Sequence, residues 1–397
     1  MNTQESNHGA VLEEMDINAA MITARRPTFV EVDLDCIRHN VKTYQNLLQP
    51  GTLLMAIVKA DAYGHGAVRV AKAAVAQGVQ WLGVALTQEA AQLREAGLQQ
   101  PILVLGYSDA ADYGYMARHK IRPAIYTLEQ GLAFGEAAKA AGIKAPVHIK
   151  TDTGMGRLGF QPDQDSLHQI LELARQPFIQ VEGLFTHFAK ADEKDQASVK
   201  AQAALFKVFS EQLKGEGLPI PLCHCANTAA AMKMPEAHMD MIRLGIGLYG
   251  LYPSEEAKQW GIALEEAISL KSCLSHVKEV PAGTAVSYGH TWRSMRSSLI
   301  GTVPIGYADG VSRLLSNRGS VLFGGRRVPI VGRVCMDQLM VDLTGLPEAK
   351  AGQPVVLLGV QGEERIPVDE VAGLQNTINY EIVCDLSSRL PRRYINP

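Results

Sequence analysis

A (β/α)8 barrel followed by a mainly β C-terminal domain is the fold this sequence predicts, and three observations carry the prediction. From Thr28 to about Gly261, short apolar runs alternate with Ala-rich stretches whose apolar residues recur near a 3.6-residue period. From about Leu264 the texture changes to alternating, β-rich runs. A chain of 397 residues is also too long for one average domain. The expected divisions are a loose extension over 1–26, the barrel over 27–262 and the β domain over 263–397. An open doubly wound sheet is the other arrangement that repeated strand–helix units allow.

The strands expected in the first region are Phe29–Leu34, Leu53–Val58, Trp81–Ala85, Ile102–Leu105, Val147–Lys150, Val181–Phe185 and Pro221–His224. Each is a short apolar run of strand length. Between them Val68–Gln77, Glu89–Ala96, Glu129–Ala141, Ser166–Arg175 and Ala197–Lys214 show helical periodicity. In the second region Ser269–Val277 alternates, while Leu299–Ile305, Arg327–Val331 and Val355–Gly359 are β-rich. Gly324-Gly325 reads as a hairpin turn, because a tight two-residue turn needs positive φ at both positions.

Composition narrows the function. A hydrophobic fraction of 47% with 20% charged residues is that of a soluble globular protein. The net charge of −3 gives no reason to expect nucleic acid or an anionic membrane as a partner. No apolar run approaches the roughly 20 residues that span a bilayer. The opening Met1-Asn2-Thr3-Gln4-Glu5-Ser6 is polar and acidic, unlike a secretory signal, so a cytoplasmic location is expected. The six cysteines are scattered through apolar segments, which suits reduced thiols. Cys223-His224-Cys225 lacks the second CxxC or paired His of a metal site, and no metal is expected.

Two segments fit GxGxxG, Gly154–Gly159 and Gly245–Gly250. Both fall late in the series of units, whereas a dinucleotide site opens the first βαβ unit. Gly245–Gly250 has a better use at the end of a late barrel strand, where bare backbone N–H groups cradle a phosphate.

The most informative stretch is Val58-Lys59-Ala60-Asp61-Ala62-Tyr63-Gly64-His65-Gly66, directly after the apolar run Leu53–Ile57. It puts a lysine amine at a strand end, where barrels keep their chemistry and where an amine beside a cofactor becomes a covalent catalyst. This stretch resembles the pyridoxal phosphate lysine segment of alanine racemases. Further motifs agree in family order: Lys150–Gly159, Thr186-His187-Phe188, Ala226-Asn227-Thr228, Arg243–Ile246, Val286–Gly289, Ile305–Gly310, Gly332–Gln338 and Thr377–Glu381. The resemblance runs from about Thr28 to Tyr394.

What the resemblance implies can be checked against chemistry. Lys59 would hold pyridoxal 5'-phosphate as a Schiff base and serve the proton of the D-enantiomer. Tyr288, reaching in from the other subunit of a homodimer, would serve the L-enantiomer. Arg243 would approach the pyridine nitrogen, with His187 packed near the ring. Tyr63, Thr228, Tyr380 and the backbone of Gly245 and Ile246 would hold the phosphate, and Asn227 is placed with them. The family more often has Ser where Thr228 stands. Arg157 would contact the substrate carboxylate, and Met336 and Asp337 of the second subunit would shape the pocket. Lys150 corresponds to a lysine that many members carry as a carbamate. Asp192, Tyr307, Arg313, Arg333 and Ile378 match an access channel. The implied activity is interconversion of L- and D-alanine, supplying D-alanine for peptidoglycan. A broader amino-acid racemase and a barrel-type pyridoxal phosphate decarboxylase are the alternatives, and Arg243 argues against the second.

Overall fold

The computed structural model describes residues 26–397, so the extension expected over 1–26 lies, except for Arg26, outside the described residues. The chain forms two compact units. One spans Leu34–Ala267, and the other joins the segment ending at Asp33 to Ile268–Asn396.

The first strand, β1 (Phe29–Asp33), belongs to the second unit and not to the barrel as expected. It pairs antiparallel with β10 (Ile268–Cys273) and parallel with β20 (Arg392–Ile395). The physical reason is visible in its burial. Val30 and Val32 are buried while Phe29, Glu31 and Asp33 are half-buried, the one-sided pattern of a sheet with one wet face. A barrel strand is covered on both sides. β2 (Leu53–Ile57) shows this, with its last four residues all buried.

The barrel starts with helix α1 (Leu34–Leu47), which buries Ile37, Val41 and Tyr44. It continues through β2, α2 (Ala67–Ala76), β3 (Trp81–Val84), α3 (Thr87–Glu95) and β4 (Ile102–Val104). There follow α4 (Tyr113–Arg118), β5 (Ile121–Ile125), α5 (Leu128–Ala140), β6 (Ala145–Lys150), α6 (Gln164–Ala174) and β7 (Ile179–Phe185). The last units are α7 (Ala197–Gly215), β8 (Leu222–His224), α8 (Thr228–Lys233) and β9 (Met241–Leu244). All eight strands pair in parallel, in the order β8-β7-β6-β5-β4-β3-β2-β9. Two backbone bonds close the ring between its edges, Asp240 N–H to Cys223 O at 3.1 Å and Arg243 N–H to Ala226 O at 3.0 Å. This is the predicted (β/α)8 barrel. Two of its strands, β5 and β9, were not among those expected.

In the second unit β10 lies between β1 and β18 (Pro354–Gln361), in a sheet that continues to β15 (Ser320–Phe323) and β16 (Arg326–Pro329). Gly324 and Gly325 make the β15–β16 turn with φ of 57° and 74°, as the predicted hairpin requires. A smaller sheet orders β11 (His276–Val280), β14 (Ser298–Val303) and β17 (Leu339–Asp342), while β12 (Ala285–Val286) pairs with β13 (Trp292–Arg293) and β19 (Glu364–Ile366) with β18. A short helix, Asn379–Cys384, precedes β20.

Candidate active site

Lys59 follows β2 at the C-terminal end of the barrel, the end at which barrel enzymes assemble their sites. The residues after it, Ala60, Asp61, Ala62 and Tyr63, have φ between 51° and 54°. A left-handed turn costs L-residues roughly 1–2 kcal/mol apiece, so the surroundings must hold it. They do so through hydrogen bonds. Ala60 N–H donates to Glu89 Oε1 at 2.6 Å, and Ala67 N–H donates to Asp61 Oδ1 at 2.8 Å. Tyr63 is buried, with its ring centroid 5.0 Å from that of Tyr249 and 6.0 Å from Lys59 Nζ.

Beside Tyr63 stands a polar cradle. A Cβ at Gly245 would lie 3.4 Å from the Tyr63 hydroxyl and 3.6 Å from Thr228 Oγ1. Thr228 Oγ1 accepts the N–H groups of Gly245 at 3.0 Å and Gly247 at 3.4 Å. Two hydroxyls and the Gly245–Ile246 backbone therefore converge on one spot, which is a donor set suited to phosphate. Asn227 caps helix α8, its side-chain oxygen accepting Ala230 N–H at 3.0 Å.

Arg243, on β9, is buried and almost saturated. Nη1 donates to His224 Nδ1 at 2.8 Å and His224 O at 3.0 Å. Nη2 donates to Thr186 O at 2.7 Å and Cys225 O at 3.0 Å, with His187 Nδ1 at 3.3 Å. A guanidinium has five N–H groups. The one on Nε is left without an acceptor among the described residues, and it can meet a ring nitrogen. Burial lowers the Arg243 pKa to about 10, which still leaves it cationic at neutral pH. Burial first, and the Arg243 charge second, hold His187 and His224 well below the usual imidazole range. Both are neutral.

Lys150 ends β6, nearly fully buried, with Nζ 4.6 Å from the centroid of Phe185. Burial, then the charges of Arg243 and Arg157, bring its pKa down to about 7. The following loop is wound on Asp152, whose Oδ1 accepts the N–H groups of Gly154, Met155 and Gly156 at 2.9–3.0 Å. This loop carries Arg157, which is exposed. It follows the fifth barrel strand and has no dinucleotide turn. Gln202 of α7 braces it. Its Oε1 accepts Ala189 N–H at 3.0 Å, while Nε2 reaches His187 O at 3.3 Å and Thr153 Oγ1 at 3.5 Å. Asp192 lies with His187 and Ala189 in the β7–α7 loop, its carbonyl accepting the Ser254 hydroxyl at 3.0 Å.

The second unit gathers its expected residues on loops. Tyr288 is 70% exposed and Met336, Ile378 and Tyr307 are exposed as well. Large apolar side chains left this open suit an interface better than water. Ser287 Oγ donates to Arg333 O at 2.6 Å, and the N–H groups of Tyr307 and Ala308 reach Cys335 O and Met336 O, both at 3.0 Å. These bonds hold the segments of Tyr288, Tyr307, Arg333 and Met336 together. Asp337 is paired with Arg389 at 2.7 Å. Arg313 is exposed on the turn Arg313–Leu315, and Tyr380 lies on the helix Asn379–Cys384.

Sequence reasoning overlooked Glu89, Gln202 and the polar groups behind Arg243, namely His224, His148, Glu182 and Arg122. For the four groups behind Arg243 the available signal was a polar residue inside an apolar strand run; Glu89 and Gln202 lie on helices and offered none.

Comparison with known proteins agrees with this geometry. Residues 32–253 match the family model for the alanine racemase N-terminal domain, and residues 267–394 match that for the C-terminal domain. An alanine racemase of Desulforamulus reducens is 44% identical over 371 residues, covering 94% of this chain and all of that protein. The solved alanine racemase of Clostridium difficile 630 superposes with a TM-score of 0.90 at 40% identity, covering 94% of this chain and 96% of the other. A histidine racemase from Leuconostoc mesenteroides superposes with a TM-score of 0.87 at 30% identity, covering 94% and 99%. Over both of its units, this chain belongs to the alanine racemase family.

Proposed function

We propose that this racemase interconverts L- and D-alanine by a two-base route, with Lys59 and Tyr288 serving opposite faces of the substrate. One observation supports the reading above others. The strand that leads into Lys59 pairs with the strand that carries Arg243, Met55 standing opposite Arg243, so a covalent anchor and a ring-nitrogen partner come from adjacent units of the barrel.

Pyridoxal 5'-phosphate, when bound, supplies the electron sink that makes the substrate Cα–H acidic. The residues present fit it. Lys59 would hold its aldehyde carbon, Tyr63, Thr228, Gly245 and Ile246 its phosphate, and His187 would lie beside its ring. Arg243 would donate its Nε–H to the pyridine nitrogen. A lasting cation there disfavours protonating that nitrogen and so weakens the sink. The weaker sink restrains side reactions. Tyr380 would join the phosphate set. Arg157 would bind the substrate carboxylate, within a pocket shaped by Met336 and Asp337 of the partner subunit.

Lys59 would take or return the proton on one face, serving D-alanine. Tyr288 of the partner subunit would do so on the other, serving L-alanine. The homodimer is thus part of the reading, and the exposed face around Tyr288, Met336 and Ile378 supports it. Arg313, Arg333, Tyr307, Ile378 and Asp192 would line the way in. Lys150, its pKa brought down to about 7 by burial, is suited to take up CO2 as a carbamate whose charge would orient Arg157. Kinship supports a cytoplasmic enzyme whose D-alanine enters peptidoglycan.

The kinship with a histidine racemase keeps a broader substrate range as a second reading. Chiral chromatography of a panel of amino acids, with purified, cofactor-loaded protein, decides between them. Alanine alone turning over supports the first reading, comparable turnover of other amino acids the second, and no racemisation overturns both.

A further inference from the structure

Behind Arg243 a file of buried polar groups descends through the barrel. His224 is level with Phe185 and Lys150 at the C-terminal edge of the strands. His148 sits two residues lower on β6, and Arg122 two residues below the partner of His148 on β5. At ~3.3 Å per residue the file drops about 13 Å.

Its hydrogen bonds run in one direction. A guanidinium only donates, so His224 Nδ1, 2.8 Å from Arg243 Nη1, presents a lone pair. A neutral imidazole has one N–H, so that of His224 is on Nε2 and points to His148 Nδ1 at 3.0 Å. His148 then carries its own proton on Nε2, which faces Glu182 Oε2 at 3.4 Å. Arg122 grips Glu182 in a fork, Nε to Oε2 at 2.8 Å and Nη2 to Oε1 at 3.2 Å. Burial alone would raise the Glu182 pKa, but the adjacent His148 ring and the fork from Arg122 outweigh it and hold the group at about 2. The file therefore ends on a fixed anion.

We propose that Glu182, gripped by Arg122, is a positioning residue for Arg243, fixing the Nε2–H tautomers of His148 and His224 so that His224 always offers Arg243 a lone pair. With the tautomers reversed, a ring N–H would oppose a guanidinium N–H. Arg243 would lose its 2.8 Å bond and the aim of its Nε–H. The consequence for catalysis rests on the reading of Arg243 given above, whereas the tautomers do not.

Histidine-selective 15N NMR separates protonated from bare ring nitrogens, and cofactor-free protein serves for it. His148 and His224 should both show protonated Nε2 and bare Nδ1 between about pH 6 and pH 9, a range in which a free imidazole titrates. Glu182→Gln should mix the tautomers of both rings. In loaded enzyme it should shift the visible absorption of the cofactor and lower kcat roughly 10- to 100-fold, with KM little changed. Glu182→Asp should recover part of each effect. If Glu182→Gln does not fold, Arg122→Gln, which releases the carboxylate, carries the same readouts. Wild-type rings protonated on Nδ1, or variants whose ring signals match the wild type, overturn the proposal. Correct tautomers in a protein that captures no pyridoxal phosphate would overturn the reading of the site and leave this one standing.

Discussion

The backbone N–H of Ala60 lies 2.6 Å from Oε1 of Glu89, so the residue that follows Lys59 is tied to the helix of the next barrel unit. The other carboxylate oxygen accepts the N–H groups of Ala85 at 2.8 Å and Leu86 at 3.1 Å. One side chain thus holds both the left-handed turn and the entrance to α3. Glu89→Ala leaves these donors to water or to nothing. Hydrogen bonds to charged groups are worth about 1.5–3 kcal/mol each when the unmade donor stays buried. We expect a loss of ~2–4 kcal/mol, because Ala60 and Leu86 are exposed enough to hydrate. Urea unfolding measures it. The turn should relax as well, slowing the capture of pyridoxal phosphate followed in the visible. A variant as stable as wild type with unchanged capture would show that the turn holds itself.

Lys59 is expected to carry the cofactor. Borohydride reduction of the loaded protein, followed by proteolysis, should leave the pyridoxyl label on the peptide containing Lys59. Lys150 is the informative competitor, since it is a buried lysine of depressed basicity at the same end of the barrel. A label on Lys150 would reverse the assignment of the two.

Lys150 itself makes a pH prediction whose sign is fixed. Its pKa is about 7 in the folded chain and near 10.4 when unfolded. Between those values the unfolded state holds the extra proton, so stability rises with pH across the window. Below about 7 the full penalty of burying the ammonium applies. A carbamate changes this. The neutral amine adds to CO2, forming an N–C bond and releasing a proton, and the product is an anion with no ammonium to bury. In CO2-free buffer the rise should therefore be present, and in bicarbonate it should flatten, with intact mass increased by one CO2. Identical curves and no mass gain would show that Lys150 stays an amine.

Much of this was legible in the sequence because barrel strands advertise themselves as unbroken apolar runs. β5 was missed because Pro123 and the charged Arg122 interrupt it, and a proline counts against a central strand. β9 was missed because Arg243 stands in the middle of four residues. The sequence marks β1 as a strand but not the sheet it joins. A run of residues states its own conformation but not its partner, and the partners of β1 lie more than 200 residues away. The alternation of Val30 and Val32 with Glu31 and Asp33 was the usable clue. In the site, Lys59, Tyr63, Thr228 and Gly245 sit in contiguous motifs. The groups behind Arg243 come one from each of four strands, and only the closed sheet brings Arg122, His148, Glu182 and His224 into file.

The assembly prediction follows from what each unit lacks. The barrel unit supplies Lys59, Arg243 and the phosphate cradle, but a single base reaches one face of the substrate. Tyr288, Met336 and Asp337 lie in the other unit, on exposed loops. We expect a homodimer with two equivalent sites, each built from both copies, as two-fold symmetry provides. Tyr288→Phe removes only a hydroxyl, so cofactor should still bind while racemisation falls roughly 10²–10⁴-fold, the usual worth of a general base. Lys59→Ala should be inactive for lack of the covalent anchor. Mixing the two inactive proteins then gives a heterodimer in which one site has lost both groups and the other keeps both. Activity should return toward half that of the wild type per heterodimer, once a tag pull-down has shown that subunits exchange. Mixed dimers that form yet stay inactive, while the Tyr288→Phe parent still binds cofactor, would mean that Tyr288 acts within its own chain or takes no part.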